Sequence, residues 1–181
     1  MIIREDIAMY SKLKELKELD KYISVYTFDD DKDRFWFGKI EALDEEFLLL
    51  RLYHVTGAPD GLKMLPVDDI FRVEFDDKYT ERMKKLIGNI DRIPSGISEP
   101  VLVSTVEYCK TAGRVTTFSL TEEDNEDVTG VVESVTDDVV TVKQIDYYGE
   151  QDGCTSFRLS DICHIEIDRS ALTVRTKLML M

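Results

Sequence analysis

The feature that most constrains this chain is that it repeats itself. When the sequence is slid against itself by 92 positions, Gly38 falls on Gly130, Glu41 on Glu133, Gly57 on Gly149 and Asp60-Gly61 on Asp152-Gly153. Farther along, Asp69-Ile70 falls on Asp161-Ile162, Glu74 on Glu166, Asp76 on Asp168 and Lys85-Leu86 on Lys177-Leu178. Between these anchors the matches are chemical: Phe47-Leu48 over Val139-Val140, Leu50-Arg51 over Val142-Lys143 and Val73 over Ile165. A register shared without a gap between residues 21–76 and 113–168 predicts one small fold built twice.

Each repeat reads as a helix followed by strands. Met9, Tyr10, Leu13 and Leu16 fall on one face of a 3.6-residue period, with Lys and Glu around them. In the second repeat Ser98-Glu99-Pro100 opens a helix, Leu102, Val106 and Cys109 share its face, and Gly113 stops it. The strand period of two then takes over. Ile23 and Val25 alternate with Tyr22, Ser24 and Tyr26, while Trp36, Gly38, Ile40 and Ala42 alternate with Phe35, Phe37, Lys39 and Glu41. Asp44-Glu45-Glu46 turns into Phe47–Tyr53, Gly57–Gly61 turns again, and Leu65, Val67, Ile70, Val73 and Phe75 complete the set. The second repeat follows the same plan from Val115 to Ile167. A short helical tail is expected after each set, on Tyr79, Met83, Leu86 and Ile90 and again over Ala171–Leu178. The domain expectation is therefore residues 1–90, a linker over 91–100, and 101–181.

Short, strongly bent strands behind a helix resemble the Sm-like branch of the SH3-type barrels. The run Gly38-Lys39-Ile40-Glu41-Ala42-Leu43-Asp44-Glu45-Glu46-Phe47 is similar to that family's first motif, a glycine and alternating apolar residues ending in an aspartate turn. Leu65–Glu74 is similar to its closing strand pair, echoed by Phe157–Glu166. The resemblance implies a mainly β protein with flanking helices, made of two tandem Sm-like, SH3-type small β-barrels. It carries the RNA site of the family less well. The asparagine that contacts a base in that family is replaced by Leu48 and Val140, the turn aspartate is Asp44 in one repeat but Thr136 in the other, and the closing Arg-Gly has no match at Asp69-Ile70 or Asp161-Ile162.

Composition narrows the partners. The chain is 43% hydrophobic and 33% charged with a net charge of −14, too apolar for a disordered acidic tail. Both halves are acidic, with 15 basic against 20 acidic side chains in residues 1–90 and 8 against 17 in residues 91–181. Such a field repels a polyanion, and phosphate neutralisation is the main source of nucleic-acid affinity. No apolar run approaches the roughly 20 residues that span a bilayer, and Met1–Asp6 lacks the basic and apolar regions of a secretory signal. Three cysteines, Cys109, Cys154 and Cys163, make no disulfide framework, which points to a reducing cytoplasm.

Candidate chemistry is sparse. The acidic stretches 29–33 and 122–127 lack the central glycine and distal glutamate of an EF-hand and read as solvated loops. Cys154, Cys163 and His164 lack zinc-ligand spacing, and the first repeat has Leu62, Phe71 and Arg72 at those places, so the cysteines read as packing residues. His54 stands alone. No catalytic, cofactor or metal residue is assigned. Phe35-Trp36-Phe37 sends Trp36 to one face and both phenylalanines to the other, whereas the second repeat has the polar Asp127 and Thr129. Phe35 and Phe37 are either covered by a helix or the sister barrel, or form an exposed interaction surface. The function expected is a non-enzymatic protein-interaction or assembly module acting through a protein partner or self-association as a homo-oligomer. An Sm-like RNA-binding regulator is the alternative, and a small-ligand protein or enzyme with a site between barrels is a third.

Overall fold

The computed structural model describes residues 3–28, 33–89, 94–121, 127–169 and 178. The protein is mainly β, with ten antiparallel strands and three helices among the described residues. Helix α1 (Ile3–Glu18) precedes β1 (Tyr22–Thr27), β2 (Trp36–Leu43), β3 (Phe47–Tyr53), β4 (Pro59–Pro66), a single 3-10 turn at Val67–Asp69, β5 (Ile70–Phe75) and helix α2 (Lys78–Ile87). Helix α3 (Val101–Ala112) then leads into β6 (Thr116–Leu120), β7 (Val128–Thr136), β8 (Val139–Ile145), β9 (Gln151–Arg158), a second 3-10 turn at Leu159–Asp161 and β10 (Ile162–Ile167). The acidic stretches expected as loops lie mostly outside the described residues. So do Ile90 and all of the expected C-terminal helix except Leu178.

The chain divides into two compact units: Met1–Asp60 with Leu65–Val101, and Gly61–Met64 with Leu102–Met181. In the first unit the strand order is β5-β1-β2-β3, with β4 beside β3. Its core gathers Leu13 and Leu16 from α1, Ile23 and Val25 from β1, Ile40 and Leu43 from β2, Leu48, Leu50 and Leu52 from β3, Leu65 from β4 and Ile70 from β5. The helix face expected from Met9, Tyr10, Leu13 and Leu16 is the one that packs here. Trp36 lies on this side too, half-buried against the cluster rather than enclosed by it.

One correction concerns phase along β2. A bulge between Ile40 and Ala42 inserts an extra residue against β3 and reverses the alternation. Leu43, not Ala42, therefore packs in this cluster, although both are buried.

The second unit has the order β10-β6-β7-β8-β9, and its residues 61–64 pair with the other side of β10. Its pairing reproduces the first almost residue for residue. Gly38 opposite Leu52 through Leu43 opposite Leu48 becomes Gly130 opposite Gln144 through Val135 opposite Val140, with the matching bulge between Val132 and Ser134. Val25 opposite Val73 becomes Phe118 opposite Ile165, and both of these pairs of strands slip at the same place. The ungapped register needs one adjustment. It holds from β2 onward, but β6 matches β1 with a shift of 93, so one residue fewer lies between β6 and β7 than between β1 and β2.

Gly38 and Gly130 anchor the repeat for a steric reason. A Cβ on either would run into the backbone carbonyl of the facing strand, at Arg51 or Lys143. Close backbone approach of this kind is available to glycine alone.

The other two helices each end before a glycine, and α2 stops at Ile87, short of the expected run to Ile90. Asp77 caps α2 by accepting the Thr80 N–H at 2.8 Å, and Gly88 lies beyond its C-terminus. The buried face is Thr80, Met83 and Ile87, whereas Leu86 is exposed. The four-residue spacing from Tyr79 through Met83 selects Ile87, and Leu86 lies 100° away from it. In α3, Val106 and Cys109 are buried as expected, and Val101 and Thr105 are buried where Leu102 was expected to be. Gly113, at φ 59°, donates to the Cys109 carbonyl and stops the helix.

Candidate functional site

Three features of the molecule have chemistry to offer: an aromatic layer, a pinned strap and two strand edges. The aromatic layer is the outer face of β1, β2 and β3 in the first unit. Phe37, Tyr53, Met83 and Ile87 form a buried cluster with Tyr22, Phe35 and Tyr79 packed around it. Tyr22 stacks on Phe37 at 5.7 Å, and Tyr79 of α2 meets Phe35 at 5.1 Å and Phe37 at 5.3 Å, both edge to face. Phe37 is only 5% exposed and Phe35 is half-buried. The expected interaction surface at Phe35 and Phe37 is thus closed by α2, whose amphipathic face needs an apolar floor.

The layer continues outward through Tyr26, which is 5.3 Å from Phe35 and 6.2 Å from Phe71. It ends at Phe28, 70% exposed and 5.1 Å from Phe71. Burial pushes the Tyr26 hydroxyl above its usual range, and its bond to Glu74 at 2.9 Å adds to this. The Arg72 guanidinium, 3.8 Å from the Tyr26 ring, works the other way.

The strap is residues 95–101. Glu41 accepts from both the backbone N–H and the hydroxyl of Ser95, at 2.8 and 2.9 Å, while holding Arg51 in a two-pronged pair. Burial pushes the Glu41 carboxyl up, but Arg51 and Ser95 together outweigh it and hold the group below the ordinary glutamate range. Asp44 closes its own turn onto the Glu46 and Phe47 N–H groups and accepts the Val101 N–H at 2.7 Å through its other oxygen. The aspartate on which the family resemblance rests is thus fully used in structure. A shallow hollow beside the strap, lined by Lys17, Ala42, Leu43, Ile97, Ser98 and Glu99, has no aromatic wall and no converging set of polar groups of the kind that orient a small ligand.

The strand edges are β5 in the first unit and β9 in the second, which end the strand order of their units. Neither outer edge pairs with a strand among the described residues. β9 is exposed along Gln151–Cys154 and again at Ser156 and Arg158. Its contacts on the inner side are ladder pairs with β8 and side-chain bonds from Thr141 to Ser156 and from Thr155 to Gln144. β5 carries Phe71 and Arg72 exposed, and Val73, Glu74 and Phe75 half-buried.

The second unit also shows such an edge in use. Met64 pairs with Ile165, Lys63 with Glu166 and Leu62 with Ile167, and the Lys63 ammonium meets the Glu166 carboxylate at 2.7 Å. Gly61 reads from sequence as a repeat anchor and as the end of a turn; the pairing role of this segment, which lies in β4, was missed. Gly61 on Gly153 was the available signal.

The cysteines correct a second expectation. Cys109 is fully buried, and burial pushes its thiol up to about 12. Cys163 is half-buried and donates to the Ser119 carbonyl. Cys154 is exposed on the β9 edge and so is no packing residue. The apolar Leu62 at its matching place is buried because it lies against β10, whereas β9 has no such neighbour among the described residues. His54 makes a local contact with Thr56 at 3.0 Å. Among the described residues, no three His, Cys, Asp or Glu side chains converge as metal ligands would, and no helix is long and apolar enough to cross a membrane. Leu48 and Val140, at the base-contacting place of the Sm-like pattern, are both fully buried. Comparison with family models, curated proteins and solved structures gives no match to this chain.

Proposed function

We propose that this protein is an assembly module made of two Sm-like, SH3-type barrels, and that it works by strand-edge pairing. The observation that carries the reading is the seating of residues 61–64 on the edge of β10, with backbone ladder, buried apolar side chains and an ion pair, while among the described residues no strand pairs with the outer edges of β5 and β9. Unpaired strand edges are templates for another chain, and folded monomers commonly blunt them with charge, proline or a covering element. Here β9 contains no lysine or proline, and its charged residues are Asp152 and Arg158.

The barrel part of the reading is supported by the bulge in β2 and its twin in β7, by the close-approach glycines, and by a first-unit core that draws on all five of its strands. An RNA-binding reading draws less support. Leu48 and Val140 are buried, and each half of the chain is acidic.

Native sedimentation of the protein from cell extract tests the reading. It is expected in particles larger than one chain, and Cys154→Glu combined with Ser156→Glu is expected to release it as a single chain. Recovery of the unaltered protein as a free single chain would refute the assembly role.

A further inference from the structure

We infer that the hairpin tip between β8 and β9, through Tyr147 and Tyr148, is a docking site for an arginine-bearing segment of a partner protein. The site is built from side chains of the turn and does not depend on pairing at either strand edge.

The two repeats close this turn in the same way. His54 donates its N–H to the Ala58 carbonyl at 2.8 Å and Gly57 donates to His54 at 2.8 Å; Asp146 donates to Glu150 at 2.9 Å and Gly149 to Asp146 at 3.2 Å. The first repeat makes the turn with Val55 and Thr56 at the tip, so the backbone does not require the tyrosines that the second repeat has there. Tyr147 is 74% and Tyr148 72% exposed. Rings left in water contribute little burial to folding, and aromatic side chains presented together are frequent anchors of an interface.

The tip is also held in place. One oxygen of the Asp146 carboxylate accepts the Tyr148 and Glu150 N–H groups, at 2.8 and 2.9 Å, and the two rings meet edge to face at 5.9 Å. A partner therefore meets a surface that loses little freedom on binding.

Charge selects the partner. From Asp146 to Gly153 the chain has three carboxylates, on Asp146, Glu150 and Asp152, and no basic side chain. Glu150 and Asp152 are exposed. The half of the chain that contains them has 8 basic against 17 acidic side chains, a field that attracts cations and repels polyanions.

The first unit shows what a tyrosine beside a carboxylate holds. The Arg72 guanidinium lies 3.8 Å from the Tyr26 ring and 3.5 Å from Glu74, whose carboxylate also accepts the Tyr26 hydroxyl. The Lys39 ammonium lies 4.5 Å from the Tyr22 ring and 2.5 Å from Asp20. In both places ring and carboxylate share one cation, and the exposed tip offers the same two groups to a cation from outside. Arginine suits it better than lysine, because a planar guanidinium stacks on a ring while bonding a carboxylate at its edge.

Binding of the full chain to a fluorescently labelled peptide of alternating arginine and serine tests the inference, with lysine–serine and citrulline–serine peptides of equal length alongside. The expected order of affinity is arginine, lysine, citrulline. A chain of charge −14 attracts any cationic peptide, so the main variant changes no charge. Tyr147→Val with Tyr148→Thr installs the first repeat's own residues in a turn of the same geometry, and should weaken arginine–serine binding roughly five- to thirty-fold. Tyr147→Phe with Tyr148→Phe keeps both ring faces and should retain the binding. Glu150→Gln with Asp152→Asn should weaken it and reduce its salt dependence. In the unaltered chain, amide signals shifted by the arginine–serine peptide should centre on residues 146–152, a readout that needs no variant to fold.

Equal affinity of the unaltered chain and the Tyr147→Val, Tyr148→Thr variant would show that net charge alone holds the peptide, and it overturns the inference. So do a citrulline peptide that binds as tightly as the arginine one, shifts centred away from the tip, and no binding throughout the micromolar range at moderate salt.

Discussion

The first and second repeats share a backbone and differ in what lies on its outer face. In the first, Tyr22, Phe37 and Tyr53 make a floor for α2, with Tyr22 also carrying the Lys39 ammonium 4.5 Å above its ring. At the matching places the second has Val115, Thr129 and Ile145, where Thr129 bonds Thr117 hydroxyl to hydroxyl at 2.9 Å and Val115 and Ile145 form a small cluster with Val131. The ladder, the bulges and the close-approach glycines are the same in both. Backbone geometry is therefore set by the inner core and by a few steric requirements, while the outer face is free to follow whatever covers it.

The largest expected difference between the repeats follows from that floor. Phe37→Ala should destabilise the first unit by about 3–5 kcal/mol through loss of a buried ring. Thr129→Ala at the matching place should cost the second about 1 kcal/mol, the worth of one hydrogen bond. Urea denaturation followed by hydrogen exchange, which resolves the two units, checks this, and equal losses would break the comparison. Gly38→Ala and Gly130→Ala should instead behave alike, each costing on the order of 1–3 kcal/mol by forcing facing strands apart. A silent Gly130→Ala would show that the shared register hides a different bend.

A smaller effect sharpens the contrast at the end of the fifth strand. Asp77→Ala should cost about 1 kcal/mol as a lost cap. Arg169 stands at the matching place, with a side chain that has no acceptor to offer a helix N-terminus.

Acid should separate the repeats as well. Hydrogen bonds from Thr80 hold the Asp77 carboxyl below its ordinary range, and Glu41 is held low despite its burial. Carboxyls depressed in the folded state contribute stability that is present above their unfolded values and is lost as pH falls through the folded ones. Asp168 in the second unit goes the other way: burial raises it, and Arg114 only partly offsets this. Its proton is held more tightly in the folded state, so acidification relieves a penalty there. Lowering the pH below the ordinary carboxylate range should therefore weaken the first unit before the second, read by pH-dependent hydrogen exchange. The reverse order would show that these groups do not govern acid stability.

The mildest measurement concerns the thiols. Cys154 should react quickly with a thiol reagent in the folded protein, while Cys109, buried with its thiol pushed up to about 12, should wait for unfolding. Rapid labelling of Cys109 would mean that α3 opens readily.

Much of the architecture was legible in the residues because it depends on local periods and steric exceptions. Leu13 and Leu16 mark the buried face of α1, Gly113 stops α3, and the match of Gly38 with Gly130 reflects two backbones passing too close for a Cβ. Other features were decided only by tertiary contact. The bulge after Ile40 reverses which of Ala42 and Leu43 faces inward, and a period of two read along one strand has no means of showing an extra residue against its partner. Phe37 is buried because α2 returns over it, and Cys154 is exposed because, among the described residues, no strand lies where β10 lies against Leu62. Sequence carries the preference of each residue for a kind of neighbour. Which neighbour arrives, and which edge is left without one, depends on pairings between residues as distant as Lys63 and Glu166, and only the folded chain brings those together.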